Sequence, residues 1–234
     1  MLRPYLLRPY LLWYSFPMIH LDELIAAGAV LHSATNAVSF TDWSYDSRLT
    51  RPGQIFIALQ TARADGHDYI AAALAAGASG VLCTYPPAEA ANATVLQAAD
   101  PMALVQRWAA ARLRQYTPQT IAVTGSVGKT STRRAIASIL GTQKPTFQSR
   151  RSFNGLLGLP LAFSQLTADD RFAVLEFGSD RPGEIAALAQ LFPPQIAVVT
   201  AVGAAHLRSF GDLDGVAAEK GALVASIPPG GIVI

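Results

Sequence analysis

Ile121 to Ser131 reads Ile-Ala-Val-Thr-Gly-Ser-Val-Gly-Lys-Thr-Ser: an apolar run, a glycine-bearing loop, then Lys-Thr at the start of a helical stretch. Residues of these types in this order suit phosphate binding. Gly125 and Gly128 permit positive φ and let backbone N–H groups approach an anion. The helix N-terminus adds about half a positive charge at the same place. Lys129 can reach β and γ phosphates, and the Thr130 hydroxyl can ligate Mg²⁺. The expected nucleotide contacts are therefore Thr124, Gly125, Ser126, Val127, Gly128, Lys129, Thr130 and Ser131. The loop departs from G-x-x-x-x-G-K-[ST] at its first glycine, which falls on Val123, so it is short and begins at Thr124. A helix start with a glycine turn and a surface lysine is the bland alternative. The agreement of strand, loop, Lys-Thr and helix favours phosphate.

Three downstream residues could share that chemistry. Glu176 ends the apolar run Phe172 to Leu175. Ligands of open parallel sheets bind outside the carboxyl ends of the strands. An acid placed there is a candidate Mg²⁺ ligand, because hard cations take oxygen donors. The alternative is an exposed strand-end acid. His206 follows the next buried strand after Val202-Gly-Ala-Ala205 and points to the same edge. A metal role and a loop or packing role are evenly balanced for it. Lys220 lies 14 residues further on, within a helical segment. Its default reading is a surface lysine, since an ammonium does not belong beside Mg²⁺ unless its charge is removed or inverted.

These residues need a scaffold of alternating strands and helices. In the first half, the pattern predicts a helix over Ile19–Ala27 and strands over Val38–Asp42, Gln54–Leu59, Gly80–Thr84 and Thr94–Gln97. Further helices fall over Tyr69–Ala76 and from Pro101 to about Tyr116, with Pro101 suited to a first turn. Thr117-Pro-Gln119 reads as a boundary between two units. The second half predicts strands over Thr120–Thr124, Phe172–Glu176, Gln195–Thr200 and Gly231–Ile234. Its helices are Lys129–Leu140, Pro182–Leu191 with Asp180 as N-cap, and Leu213–Ser226. Such alternation implies an α/β chain whose parallel sheets carry helices on both faces.

Composition narrows the function classes. The chain has 234 residues, 51% hydrophobic and 15% charged, which excludes intrinsic disorder and allows one or two domains. A net charge of +2 argues against a general nucleic-acid binder. One cysteine, Cys83, excludes a disulfide scaffold and fits a reducing compartment. The longest apolar run, Ile70 to Cys83, has 14 residues and is interrupted by Gly77, Ser79 and Gly80, short of the ~20 needed to span a bilayer. The start repeats Leu-Arg-Pro-Tyr-Leu-Leu at residues 2–7 and 7–12, without a cleavage site, so residues 1–17 read as a disordered extension rather than a signal peptide.

Taken together, Thr124-Gly-Ser-Val-Gly-Lys-Thr130, Glu176-Phe-Gly178, Gly183-Glu-Ile185, Ala205-His-Leu207 and Glu219-Lys-Gly221 resemble the ordered motifs of the Mur ligases of peptidoglycan synthesis. In the first half, Asp46-Ser-Arg48, Pro52-Gly-Gln-Ile-Phe-Ile-Ala-Leu59 and Asp65-Gly-His-Asp-Tyr-Ile70 resemble the N-terminal domain shared by the MurE and MurF branches. Phe153-Asn-Gly-Leu-Leu-Gly-Leu-Pro160 and Pro182-Gly-Glu-Ile185 are closer to MurF.

The resemblance implies a MurE/MurF-like N-terminal α/β domain followed by an incomplete P-loop-type central domain. The expected boundaries are 18–116 for the UDP-substrate domain and 117–234 for the ATP-binding domain, without the family's C-terminal domain. On that plan the chain is a partial ligase, with little ligation expected of it alone. The implied reaction joins D-alanyl-D-alanine to UDP-N-acetylmuramoyl-tripeptide, using ATP and Mg²⁺. The alternatives are a MurE-like ligase adding one amino acid to the dipeptide precursor, or a non-catalytic UDP-precursor or nucleotide-binding module.

By motif, Lys129 neutralises phosphate charge, Thr130 and Glu176 hold one Mg²⁺, and His206 helps hold a second. Lys220 matches a lysine carbamylated in many members, which would turn its cation into an anion. Asn154 lies near the muramoyl substrate, and Ser47 and Arg48 contact the UDP moiety. A cytoplasmic monomer without nucleic-acid partners is expected. Asn154 is the one asparagine left in its segment, because Ser152 and Gly155 stand where the family often has Asn.

Other residues have plainer readings. Trp43 and Trp108 are expected to pack, His20 and His32 to sit at the surface, and Cys83 to be inert core. His67 is either structural or UDP-adjacent. The Arg133-Arg134 and Arg150-Arg151 pairs could reach phosphates, with solvated faces the favoured reading.

Overall fold

Successive residues of a strand point to opposite faces of its sheet, and in this chain both faces of the central strands are apolar. The structure, a computed structural model, describes residues 18–33, 37–88, 93–150 and 153–234. The N-terminal extension, Arg151, Ser152 and part of the Pro86–Ala93 loop lie outside the described residues. The first half contains β1 (Ile19–His20), α1 (Leu21–Ala26), β2 (Val30–Ser33), β3 (Ser39–Phe40), β4 (Trp43–Ser44), β5 (Ile55–Ile57), α2 (Ile70–Ala75), β6 (Gly80–Cys83), β7 (Thr94–Gln97) and α3 (Pro101–Tyr116). The second contains β8 (Gln119–Thr124), α4 (Lys129–Gly141), β9 (Thr146–Gln148), α5 (Gly158–Ala162), β10 (Phe172–Glu176), α6 (Glu184–Leu191), β11 (Ile196–Val199), α7 (Leu207–Phe210), α8 (Leu213–Ala225) and β12 (Ile232–Val233).

Each half builds a five-stranded sheet. The first has the order β2-β7-β6-β5-β4 and the second β12-β11-β8-β10-β9. The second sheet is parallel throughout. In the first, β2 runs antiparallel to β7, against the expectation of parallel pairing. Val30 and Leu31 of β2 are exposed, so this edge strand lacks the buried pattern that would have announced it.

The sheet faces explain how the halves join. In the first sheet, Phe56, Val81, Cys83 and Val95 pack with Ile70 and Ala73 of α2. The alternate residues Ile55, Ile57, Leu82 and Leu96 turn to the other side, with Leu104 and Trp108 of α3. In the second sheet, Ile121, Val123, Val174 and Val198 pack with Ala137 of α4. Ala122, Ala173, Leu175 and Ala197 face away, into the same apolar cluster that contains α3, α5, α6 and Leu223 of α8. Helices therefore cover both faces of each sheet, and α3 lies in the core shared by the two. It begins with the Asp100 carboxylate accepting from the Met102 and Ala103 N–H groups and ends at Thr117 in the left-handed region. Such side-chain capping contributes about 1 kcal/mol.

Three expectations need correction. Ile19 and His20 are strand rather than helix: Ile19 is fully buried opposite Phe40, and the helix starts at Leu21. The helix expected from Pro182 starts at Glu184, and Asp180 does not cap it. Gly183 holds that position at φ 87°, and the buried Glu219 carboxylate accepts from the Gly183 and Ile185 N–H groups. β2, β4, β9, α5 and α7 are additional to the expected elements. Among the described residues no helix is long and apolar enough to cross a membrane.

A candidate nucleotide site at the carboxyl edge of the second sheet

The loop between β8 and α4 is held by its neighbours. Gly125 has φ 141°, and a Cβ there would land inside the Thr200 hydroxyl and 3.0 Å from the Ala201 backbone. Only glycine fits. Gly128 at φ 82° is the N-cap of α4. The Thr200 hydroxyl, just beyond β11, lies within hydrogen-bond reach of the Val127 and Thr124 carbonyls at 2.6 and 3.1 Å. The Ser126 Oγ lies 2.9 Å from the Gly203 carbonyl and accepts from the Gly203 N–H. The Thr124 hydroxyl donates to the Phe177 carbonyl. The hydroxyls of Thr124 and Ser126 thus brace the loop. The Lys129 ammonium folds over the loop, donating to the Gly125 carbonyl at 2.6 Å.

Glu176 is 2% exposed at the end of β10, so it is not the exposed strand-end acid of the alternative reading. Its Oε2 accepts from the Thr130 hydroxyl at 2.9 Å and its Oε1 from the Asn154 amide at 3.0 Å. The Arg133 guanidinium stands 3.9 Å away and also donates to the Ser149 carbonyl. Arg133 is buried, which corrects its reading as part of a solvated face. Its position on α4 looks polar from the sequence, but that turn of the helix lies against β9 and β10.

The Thr130–Glu176 pair passes a test for Mg²⁺. Octahedral coordination with ~2.1 Å bonds has edges of about 3 Å, close to the observed oxygen separation, and both atoms are hard donors. His206 does not join this pair. Its Nδ1 stands 3.5 Å from Asp180 Oδ1, with both side chains largely exposed. Among the described residues no three His, Cys, Asp or Glu side chains gather as a metal site.

Lys220 is 3% exposed, not the surface lysine of the default reading. Its ammonium donates to the Ser179 hydroxyl at 2.7 Å and lies 5.7 Å from the centre of the Phe210 ring. Burial pushes its pKa down, and the charge of Lys129 pushes the same way against the pull of Glu219, Asp180 and Glu184.

One cavity of about 550 Å³ gathers these groups, a size ordinary for a small-molecule site. Gly125, Ser126, Lys129, Asn154, His206 and Lys220 all line it. Tyr45, Ser179, Glu184 and Phe210 line it too and were not foreseen. Ser179 follows directly on the Glu176 motif and could have been suspected; Tyr45 and Phe210 carry no local signal. Ser47 and Arg48 are not in the lining. Arg48 is an exposed side chain paired with Asp46 at 2.7 Å, and that pairing lowers the Asp46 pKa. His67 is tied into the fold at both ring nitrogens: its Nδ1 lies 2.6 Å from Asp65 and its Nε2 accepts from the Thr84 N–H.

A parallel sheet with a glycine loop, a Lys-Thr helix start and a carboxylate at the next strand end defines a phosphate-loop α/β protein. Residues 123–234 match the Mur ligase middle domain, and residues 39–114 match the catalytic domain of the Mur ligase family. The chain belongs to the Mur ligase family.

Several curated relatives share one name. It is 37% identical over 215 residues to the UDP-N-acetylmuramoyl-tripeptide–D-alanyl-D-alanine ligase of Mycobacterium leprae, covering 81% of this chain and 41% of the relative. A relative of the same name from Escherichia coli is 37% identical over 196 residues, again with 81% and 41% covered. A crystal structure of MurF from Acinetobacter baumannii superposes with a TM-score of 0.82 at 30% identity, covering 92% of this chain and 48% of that one. MurF ligase from Thermotoga maritima, in complex with ADP, gives 0.72 at 27% identity, covering 86% and 46%. The chain spans about two-fifths of the length of these curated relatives.

Proposed function

We propose that this chain carries the nucleotide site and the acyl-substrate side of a MurF-type ligase, which joins D-alanyl-D-alanine to UDP-N-acetylmuramoyl-tripeptide at the expense of ATP. The observation that carries the reading is the single cavity in which Lys129, Asn154, His206 and Lys220 meet beside the Thr130–Glu176 pair. The likeness to these ligases and the ADP complex of the Thermotoga protein support the same reading. Residues 18–116 would form the UDP-substrate unit, with Ser47 and Arg48 toward the UDP moiety, and residues 117–234 the ATP-binding unit. The chain would act in the cytoplasm, where ATP is available.

In the proposed reaction the tripeptide's terminal carboxylate oxygen attacks the γ-phosphorus of ATP, and ADP leaves. The dipeptide amine then attacks the acyl phosphate carbon. The tetrahedral adduct expels inorganic phosphate, and loss of the amine proton leaves the amide. Phosphoryl transfer depends mainly on positioning and charge stabilisation. The loop N–H groups from Gly125 to Thr130 would cradle the phosphates, and Lys129 would leave the Gly125 carbonyl to meet their charge. Thr130 and Glu176 would hold a Mg²⁺, which supplies charge neutralisation to the phosphates. Asn154, tied to Glu176, would orient the acyl substrate. His206 stands on the same cavity wall, where it could serve a second metal or the incoming substrate.

Lys220 fits a further chemical step. A neutral lysine amine adds to CO₂, forming an N–C bond and releasing a proton, to give a carbamate. Burial and the neighbouring Lys129 favour the neutral amine. The anion so formed would be compatible with a metal-bearing cavity.

The test is direct binding. The chain should bind Mg·ADP, and Lys129→Ala should weaken that binding by at least about tenfold, as expected for loss of a charge-assisted phosphate contact. Unchanged affinity in Lys129→Ala would remove the nucleotide assignment. For the reaction, phosphate release by the gene product carrying this chain should require UDP-N-acetylmuramoyl-tripeptide and D-alanyl-D-alanine together. Turnover with the dipeptide precursor and a single amino acid would favour the MurE-like alternative.

A further inference from the structure

A second cavity lies on the same carboxyl edge of the second sheet. It measures about 840 Å³ and its lining includes Arg51, Arg133, Arg134, Gln148, Arg150 and Phe153, with no acidic side chain among the described lining residues. Gln148 ends β9, and Ser149 and Arg150 follow it, as Glu176 ends the adjacent β10. The two cavities are joined: Phe153 lines both. Their floors are joined as well. The Ser149 hydroxyl accepts from the Glu176 N–H at 3.0 Å, and Arg133 reaches both Ser149 and Glu176.

The charges here are unequally engaged. Arg150 is tied to Asp42 at 2.8 Å. Arg51 and Arg134 are exposed, and their guanidinium groups form no ion pair among the described residues. They come from different halves of the chain, one just before β5 and one on α4, and face one cleft. Like charges brought together without a carboxylate await an anion. Gln148 adds a different cue: its Oε1 is buried and has no hydrogen-bond partner among the described residues. A free acceptor beside the arginines suits a ligand that carries an N–H donor as well as negative charge. A diphosphate has no donor; a peptide bearing carboxylates has both.

We propose that this arginine cleft seats the carboxylate-bearing peptide arm of the acyl substrate, beside the cavity where its reacting carboxylate is activated. This assignment rests on the ligase reading above, and it names how that site would select an acidic peptide. Arg51 and Arg134 act as specificity residues, through charge, and take no part in phosphoryl transfer.

The test uses calorimetric titration of the chain and of the double variant Arg51→Gln, Arg134→Gln. Three probes are compared: UDP-N-acetylmuramoyl-tripeptide ending in diaminopimelate, UDP alone, and Mg·ADP. Both substituted residues are exposed, so the variant is expected to fold. The expected result is about tenfold weaker binding of the tripeptide probe, with UDP and Mg·ADP unchanged, and partial recovery in the Arg51→Lys, Arg134→Lys variant. Equal weakening of UDP would transfer the cleft to the diphosphate and overturn the proposal. Unchanged tripeptide binding in the variant would also overturn it, while leaving the nucleotide assignment intact. Failure of the unaltered chain to bind Mg·ADP would instead strike at the ligase reading itself.

Discussion

The Thr130 hydroxyl and the Glu176 carboxylate stand 2.9 Å apart although 46 residues separate them. β8 and β10 are neighbours in register, with Val123 opposite Glu176, so one strand's end delivers the acid to the next strand's loop. Glu176→Gln preserves shape and removes charge. It should weaken Mg·ADP binding by about tenfold or more and weaken metal-free ADP much less. Titrations with and without Mg²⁺ separate the two, and equal losses would count against metal ligation.

Gly125→Ala tests the loop itself. The added Cβ meets Thr200 and the Ala201 backbone, and its φ of 141° disfavours any side chain. A loss of at least about 2 kcal/mol of stability is expected, together with loss of nucleotide binding. Thr200→Ala in the same chain should not restore binding, because the Ala201 backbone remains. Thermal melts and Mg·ADP titration provide the readout.

Lys220 makes a pH prediction. Its folded-state pKa is lowered, so the folded chain releases this proton before the unfolded chain does. Its contribution to stability therefore rises with pH from the folded pKa up to the unfolded value of about 10.4, and is lost as pH falls. Carbamate formation should follow the same direction. With ¹³C-labelled bicarbonate, a carbamate resonance should grow as pH rises and be absent in Lys220→Arg. No difference between the two proteins would exclude modification at this lysine.

Asp42 links the two halves from outside the core. Its carboxylate accepts from Arg150 at 2.8 Å and from the Ser164 hydroxyl at 2.6 Å. Arg150 is partly exposed, so the pair is screened, and Asp42→Ala should cost only about 1–2 kcal/mol. Faster hydrogen exchange confined to residues around 150 and 164 would mark the loosened contact. Uniform acceleration would mean global destabilisation instead.

Cys83 should be chemically silent in the native state. It is fully buried in β6, and burial pushes its thiol pKa up to about 11. A thiol reagent should modify it only when the chain unfolds, as followed by mass spectrometry across a denaturant series.

Local chemistry made much of this molecule legible. Asp100-Pro101 opens α3 as a cap and first-turn proline should, and the loop glycines sit where backbone must come close. The strands with two apolar faces, β8 and β10, appeared as continuous apolar runs. β9 did not, because Phe147 is the one fully apolar side chain in a three-residue edge strand. The burial of Arg133 and Lys220 is likewise tertiary: each occupies a helix position that reads as surface until the neighbouring strand or loop is in place. The Thr200 and Ser126–Gly203 braces join residues more than 70 apart and leave no periodic trace. The expected cap at Asp180 failed for a related reason, since the Glu219 carboxylate comes from another helix.

The apolar cluster around α3 draws on both sheets, with Trp108 facing one and contacts to α5 and α6 serving the other. Neither sheet can shed α3 without exposing the inner face of its partner. The chain should accordingly melt in one step, and a ligand on either half should lift the melting temperature of both by mass action. A nucleotide clasped by the loop after β8 would protect Cys83, in the other sheet, from thiol reagents: the remote cysteine would act as a reporter of occupancy at a site it never touches.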